Sequence, residues 1–226
     1  MPSKKVIIDD VILRLTQGAP SDDLELETLQ VAYWIQTHLN QVVANEVNEK
    51  LKRKETIPAV YIISEEQELL TEDSEFGDGR YYVTLDNEIL TVNHGMGVIQ
   101  VWDEEGNEIK KADVQTLTLI KNMRFAKPTS ENVVYSHEGN KIYFPGLKES
   151  DIQFEQIRAW YIPRQDILSA DDDYEVLISD LSLPILIDLA VETGKQQMYG
   201  TLPDESNDGR DAKDLVYHTA IKNPNN

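Results

Sequence analysis

The chain has 226 residues, with 41 Asp or Glu against 21 Lys or Arg and a formal net charge of −20. Such a surface does not grip a phosphate backbone generally, because that affinity comes from cations displacing counterions; it either keeps the chain soluble or repels nucleic acid, and charge alone does not choose. The absence of cysteine excludes a disulfide framework, thiolate metal sites and cysteine nucleophiles.

Along the chain, apolar side chains at 7, 8, 11, 12 and 15 predict a helix over 5–16, stopped by Gly18, Ala19 and Pro20. Ser21 reads as the N-cap of a second, long helix over 22–54, with Asp22, Asp23, Glu25 and Glu27 in its first turns. Its apolar positions recur at threes and fours from 24 to 51, and Lys50, Lys52, Arg53 and Lys54 suit the negative end of its dipole. From Thr56 the texture turns β-like. Val60 to Ile63, Tyr81 to Leu85, Val98 to Trp102, Glu108 to Lys110, Val133 to Ser136, Lys141 to Phe144 and Phe154 to Ile162 read as strands. Turns fall at Gly77-Asp78-Gly79, Glu105-Gly106-Asn107 and Glu138-Gly139-Asn140, and Asp113 reads as the cap of a short helix to Lys121. After an acidic loop at Asp171 to Asp173, Ser179 or Ser182 caps a last helix with Pro184 in its first turn, ended by Gly200. Residues 201–226 are polar and read as a loose tail with a short helix near Ala212 to Tyr217.

This order predicts an α+β fold. A helical base, in which the long N-terminal helix packs on the C-terminal helix, carries an inserted antiparallel β-rich domain and a flexible C-terminal tail. The boundaries fall at 1–55, 56–165, 166–200 and 201–226. No run reaches the roughly 18 apolar residues of a membrane helix. The basic, briefly apolar N-terminus is broken by Asp9 and Asp10, so it does not read as a secretory signal.

Motifs for chemistry are lacking. His38, His94, His137 and His218 are scattered, with no pair at helical ligand spacing. Gly95-Met96-Gly97 lacks the third glycine of a dinucleotide loop and precedes a strand, so it reads as a flexible connection. Asp171, Asp172, Asp173 and Glu175 offer oxygen ligands for a divalent cation but miss the spacing of a calcium loop, and a solvated loop is the simpler reading. Glu65, Glu66 and Glu68, and Asp103, Glu104 and Glu105, are charge runs that do not single out an acid/base pair. The basic cluster at 50–54 reads as dipole compensation before a phosphate patch. Trp34, Trp102 and Trp160 read as core or interface anchors, with a stacking platform as the alternative. Catalytic, cofactor-binding and metal residues are therefore assigned to none, and the chain is expected not to be an enzyme and to need no cofactor.

Three segments together carry a resemblance. They are Ile7 to Asp23 running into the long helix; Val98 to Ile109 with Arg124-Phe-Ala-Lys-Pro-Thr and the hairpin Val134 to Tyr143; and Trp160-Tyr-Ile-Pro with Leu181-Ser-Leu-Pro and Gly194-Lys-Gln-Gln-Met-Tyr-Gly. Over most of 7–205 the chain resembles the neck or ring proteins of short-tailed phages, in particular the crAss-like phages of gut Bacteroidetes. The resemblance implies a virion structural protein assembled in the host cytoplasm. It implies a homo-oligomeric ring, commonly of twelve subunits, in the head-to-tail neck below the portal. The ring would extend the DNA channel and dock neighbouring tail proteins, passing genomic DNA without sequence-specific binding and without membrane contact. The alternative is a β-domain binding module, for carbohydrate or protein, that forms no ring; a carboxylate-dependent hydrolase is a third reading.

Overall fold

The computed structural model describes residues 1–16, 27–72, 80–92, 97–112, 133–145 and 154–199. The predicted turn at 77–79, the short helix at 113–121, the Gly200 stop and the tail at 201–226 lie outside them.

Helix α1, Lys4–Leu15, starts at Ser3, whose Oγ accepts from Val6 N. Its buried face is Ile7, Ile8, Val11 and Leu15, as the apolar spacing requires. Helix α2 spans Thr28–Arg53, shorter than the predicted 22–54. Glu27 is extended (ψ 128°), and its carbonyl rather than a side chain accepts from Gln30 and Val31 N–H. Ser21, Asp22, Asp23 and Glu25, read as the cap and first turns of this helix, lie outside the described residues. Its far end matches expectation: Lys50, Lys52 and Arg53 fill the last turn. Lys54 closes the helix in the left-handed region (φ 56°), where a side chain costs about 1 kcal/mol and glycine is usual. Helix α3 spans Ser182–Tyr199. Ser179 caps it by accepting from Ser182 N on its hydroxyl and from Leu183 N on its carbonyl.

The three helices pack on one another around Trp34, Ile35, Leu39, Val43, Leu186 and Ala190, all almost fully buried. Gly194 lets α3 approach α2 closely, since a β-carbon there would stand 2.7 Å from the Trp34 ring. The irregular segment 163–178 completes this core with Ile167, Val176 and Ile178. A buried loop must satisfy its backbone, and side chains do it here. Asn40 and Gln36 both donate to the Gln165 carbonyl, Asn40 accepts from Gln165 N, and Gln36 accepts from Ile167 N. The Gln165 amide in turn pairs with both backbone groups of Leu177.

Eight strands form one sheet: β1 Ile63–Glu68, β2 Leu70–Glu72, β3 Arg80–Thr84, β4 Val98–Asp103, β5 Glu108–Lys111, β6 Val134–Glu138, β7 Lys141–Phe144 and β8 Gln156–Tyr161, in the order β1-β8-β4-β5-β6-β7-β3-β2. The two end strands are one run of chain broken only at Leu69, so the sheet curls round into a barrel. Its interior is Val83, Val101, Ile142, Phe144, Ile157, Ala159 and Tyr161. The β domain was expected to be antiparallel; six of the seven neighbouring pairs among the described residues are, but β5 and β6 run parallel. Parallel neighbours need a long crossover, and residues 112–133 separate these two strands. Val60, expected in a strand, lies in a single 3₁₀ turn, Ala59–Tyr61, before β1 begins.

Glu46 joins the barrel's entry to the helices. Its Oε2 accepts from Tyr61 OH, from Ser179 Oγ at 2.6 Å and from Ser182 Oγ at 2.5 Å. Burial pushes its pKa up, but the Ser179, Ser182 and Tyr61 hydroxyls and the Lys50 charge outweigh that and hold it below the usual carboxylate range.

Candidate assembly surface

The residues weighed for chemistry turn out to be structural or outside the described chain. His38 Nε2 lies 2.8 Å from Thr193 Oγ1, joining α2 to α3. His137 on β6 is half-buried, and among the described residues its buried Nδ1 has no hydrogen-bond partner. Burial, then the nearby Lys111 charge, holds its pKa down to about 4, so its ring is neutral. His94, His218, Gly95 and Met96 lie outside the described residues. Gly97 is not the flexible connection expected: a β-carbon there would stand 2.3 Å from the Leu90 carbonyl, and its own carbonyl accepts from Ile162 N. Close backbone approach, not mobility, requires glycine.

The acidic loop does backbone work. The Asp171 carbonyl accepts from Tyr174 N, the Asp172 carbonyl from Lys5 N, and Glu175 forms a bridge with Ser3. These contacts seat the start of α1. Among the described residues, no group of His, Asp or Glu gathers as metal ligands would.

Of the two charge runs, Glu66 comes together with Asp103 and Glu104 on the outer wall of the barrel, while Glu65 accepts from Tyr161 OH on the inner side. Strand β8 alternates strictly, with Gln156, Arg158 and Trp160 outward and Ile157, Ala159 and Tyr161 inward. Register sets Glu66 of β1 and Trp102 of β4 on either side of Arg158, and Ser64 and Gln100 on either side of Trp160. The result is a shallow groove of about 310 Å³ lined by Glu66, Trp102, Asp103, Glu104, Arg158 and Trp160. Arg158 Nε donates to Glu66 at 2.7 Å. The tryptophans meet edge to face, with centroids 4.8 Å apart, and Trp160 Nε1 donates to Ser64. Trp160 is 41% exposed. Both rings stand on the solvent side of a barrel whose core does not need them.

Asp103 is committed to its turn, accepting from Glu105 N, Asn107 N and Asn107 Nδ2. With Glu66 tied to Arg158, neither carboxylate stands ready as a free acid or base. Sequence reading singled out Trp102 and Trp160, weighed Glu66 only within a charge run, and gave Arg158 no role. The signal for Arg158 was the alternation of β8; Glu66 needed the β1–β8 register, which no local pattern carries.

A second set of exposed apolar side chains lies on the helices. Leu29 (64% exposed) and Tyr33 stand one turn apart on α2. Leu181 (72%) and Ile185 stand one turn apart at the start of α3, and Val6 and Leu13 two turns apart on α1. Arg14 of α1 reaches Asp188 of α3 at 2.7 Å, tying two of these outer faces together. Side chains at such spacings share one face of their helix.

Residues 6–214 match the family model of the crAss-like ring proteins, described as phage tail ring protein 2. The chain belongs to that family. As a phage tail ring protein it is a structural component of the virion, and the resemblance read from its three segments is shown. No curated protein matches it. Ring assembly with tail components follows from the family. Among the described residues, no helix is long and apolar enough to cross a membrane.

Proposed function

We propose that this ring protein closes into a homo-oligomer, of twelve copies by the resemblance, in the head-to-tail neck below the portal. There it extends the DNA channel and docks tail components, without catalysing a reaction. The helices act as the base and the barrel as the projecting insertion. The observation that carries this reading is a pair of different surfaces on separate elements, the exposed apolar side chains of the helices and the acidic tryptophan groove of the barrel. A closed ring of identical subunits needs two different, complementary faces on each copy.

A channel that lets DNA slide wants an acidic or neutral wall, which a net charge of −20 favours. Reconstruction of the neck should therefore show copies of this chain around the axis beneath the portal, with carboxylates toward the lumen. A chain that is strictly monomeric and never found with portal or neck proteins overturns the reading. A lumen lined by Lys50, Lys52, Arg53 and Lys54 overturns its channel part.

The exposed Trp160 beside Glu66 and Glu104 favours one second reading, a carbohydrate-binding barrel. Glycan-array binding that disappears with Trp160→Ala would establish it.

A further inference from the structure

We infer that the barrel groove receives the basic end of α2 from a second copy of this chain, and that this contact is a subunit joint of the ring. The inference rests on the ring reading above and specifies which surfaces meet.

The groove is an acidic aromatic receptor. Glu66, Asp103 and Glu104 line it against the single cation Arg158, which Glu66 already neutralises. Glu105 stands exposed in the same turn, and among the described residues Glu104 accepts from Glu155 N at 3.3 Å and forms no ion pair. Trp160 offers part of its face to solvent. Such a site favours an ammonium or guanidinium group, by charge and by the ring quadrupole.

A chain of net charge −20 has few places to supply one. The end of α2 gathers Lys50, Lys52, Arg53 and Lys54 within five positions. Lys50 pairs with Glu55 and Arg53 with Glu49, while Lys52 and Lys54 are exposed and, among the described residues, form no ion pair. Lys54 sits where glycine is favoured, at φ 56°. Dipole compensation does not explain a lysine at that strained cap, because Lys50, Lys52 and Arg53 already supply it. A requirement for the side chain itself does.

Burying this cluster between subunits also removes the main concentration of cation from any wall that DNA would pass. The basic helix end and the groove are different surfaces of one subunit, as a joint that repeats around a ring requires.

Carbodiimide cross-linking of intact phage particles, which joins a lysine to a carboxylate only in direct contact, tests the joint. Peptides from multimer bands should join Lys52 or Lys54 to Glu66, Asp103 or Glu104. Multimer bands joined only through other residues overturn the inference and leave the ring standing. A lysine of a different protein on Glu104 overturns the choice of a second copy. Particles that give no multimer of this chain overturn the joint, and the ring reading falls only if reconstruction of the neck shows no ring of this chain.

A second measurement uses the recombinant full chain. Lys54→Gly should raise thermal stability yet cut the multimer fraction at low salt several-fold. Lys52→Glu with Lys54→Glu should abolish multimers, and adding Glu104→Lys should restore them. Multimerisation that is unchanged by these variants overturns the inference.

Discussion

The helical half and the barrel of this protein are held together in different ways. The barrel mixes two kinds of pairing: β4 and β5 turn at Gly106 (φ 87°) and β6 and β7 at Gly139 (φ 60°), while β1–β8, β4–β8 and β3–β7 join distant segments through backbone ladders. The helical half is built from pieces far apart in sequence. Glu46 meets Ser179 and Ser182, Asn40 meets Gln165, and Trp34 Nε1 donates to Gln197. A defect at a hairpin turn should therefore stay local, whereas a defect in the helical half releases segments from both ends of the described chain.

The strongest way to break this contrast is Trp34→Ala, which empties a fully buried site between α2 and α3. A loss of about 3–5 kcal/mol is expected in urea unfolding followed by circular dichroism. Glu46→Ala comes next. It strips the acceptor from three hydroxyls and should cost about 2–3 kcal/mol in the same assay.

Acid separates the two halves. His137 has a folded pKa near 4, below its ordinary 6.5, so the stability it allows is complete above pH 6.5 and is lost as pH falls toward 4. Glu46 also has a lowered pKa, so its contribution is present above the ordinary carboxylate range and is lost only as pH falls through the folded value. Thermal melts should thus weaken between pH 6.5 and 4 by on the order of 2 kcal/mol through the barrel. His137→Phe should flatten that limb, and Glu46→Gln should flatten only the lower one. The smallest effect on stability belongs to Trp160→Ala, expected to stay within about 0.5 kcal/mol because its ring is partly solvated. Its effect on multimer formation should be far larger.

Much of the fold was legible in sequence because it depends on local periodicity. The buried faces of α1 and α2, the two hairpins and the alternation of β8 all follow from spacing and turn chemistry. The start of α2 was not legible. Ser21 and four acidic residues form a persuasive capping signal, yet the backbone at Glu27 is extended and begins the helix by its own carbonyl. The parallel β5–β6 pair was hidden because its connection spans residues 112–133. At the groove, tryptophans announce themselves by size, but the Glu66–Arg158–Trp102 row exists only once β8 lies between β1 and β4. Cross-strand register joins residues 92 positions apart, and no local pattern encodes it.

The bent run from Ile63 to Glu72, which serves as both first and last strand, has a consequence for how copies can join. A curled sheet of this kind offers no long ribbon of unpaired amides and carbonyls. Neighbours therefore cannot grow onto it by adding strands, the route by which exposed edges run on into open-ended fibrils. Attachment is left to side chains, which can dictate an angle between copies and so let an assembly stop when the circle is complete.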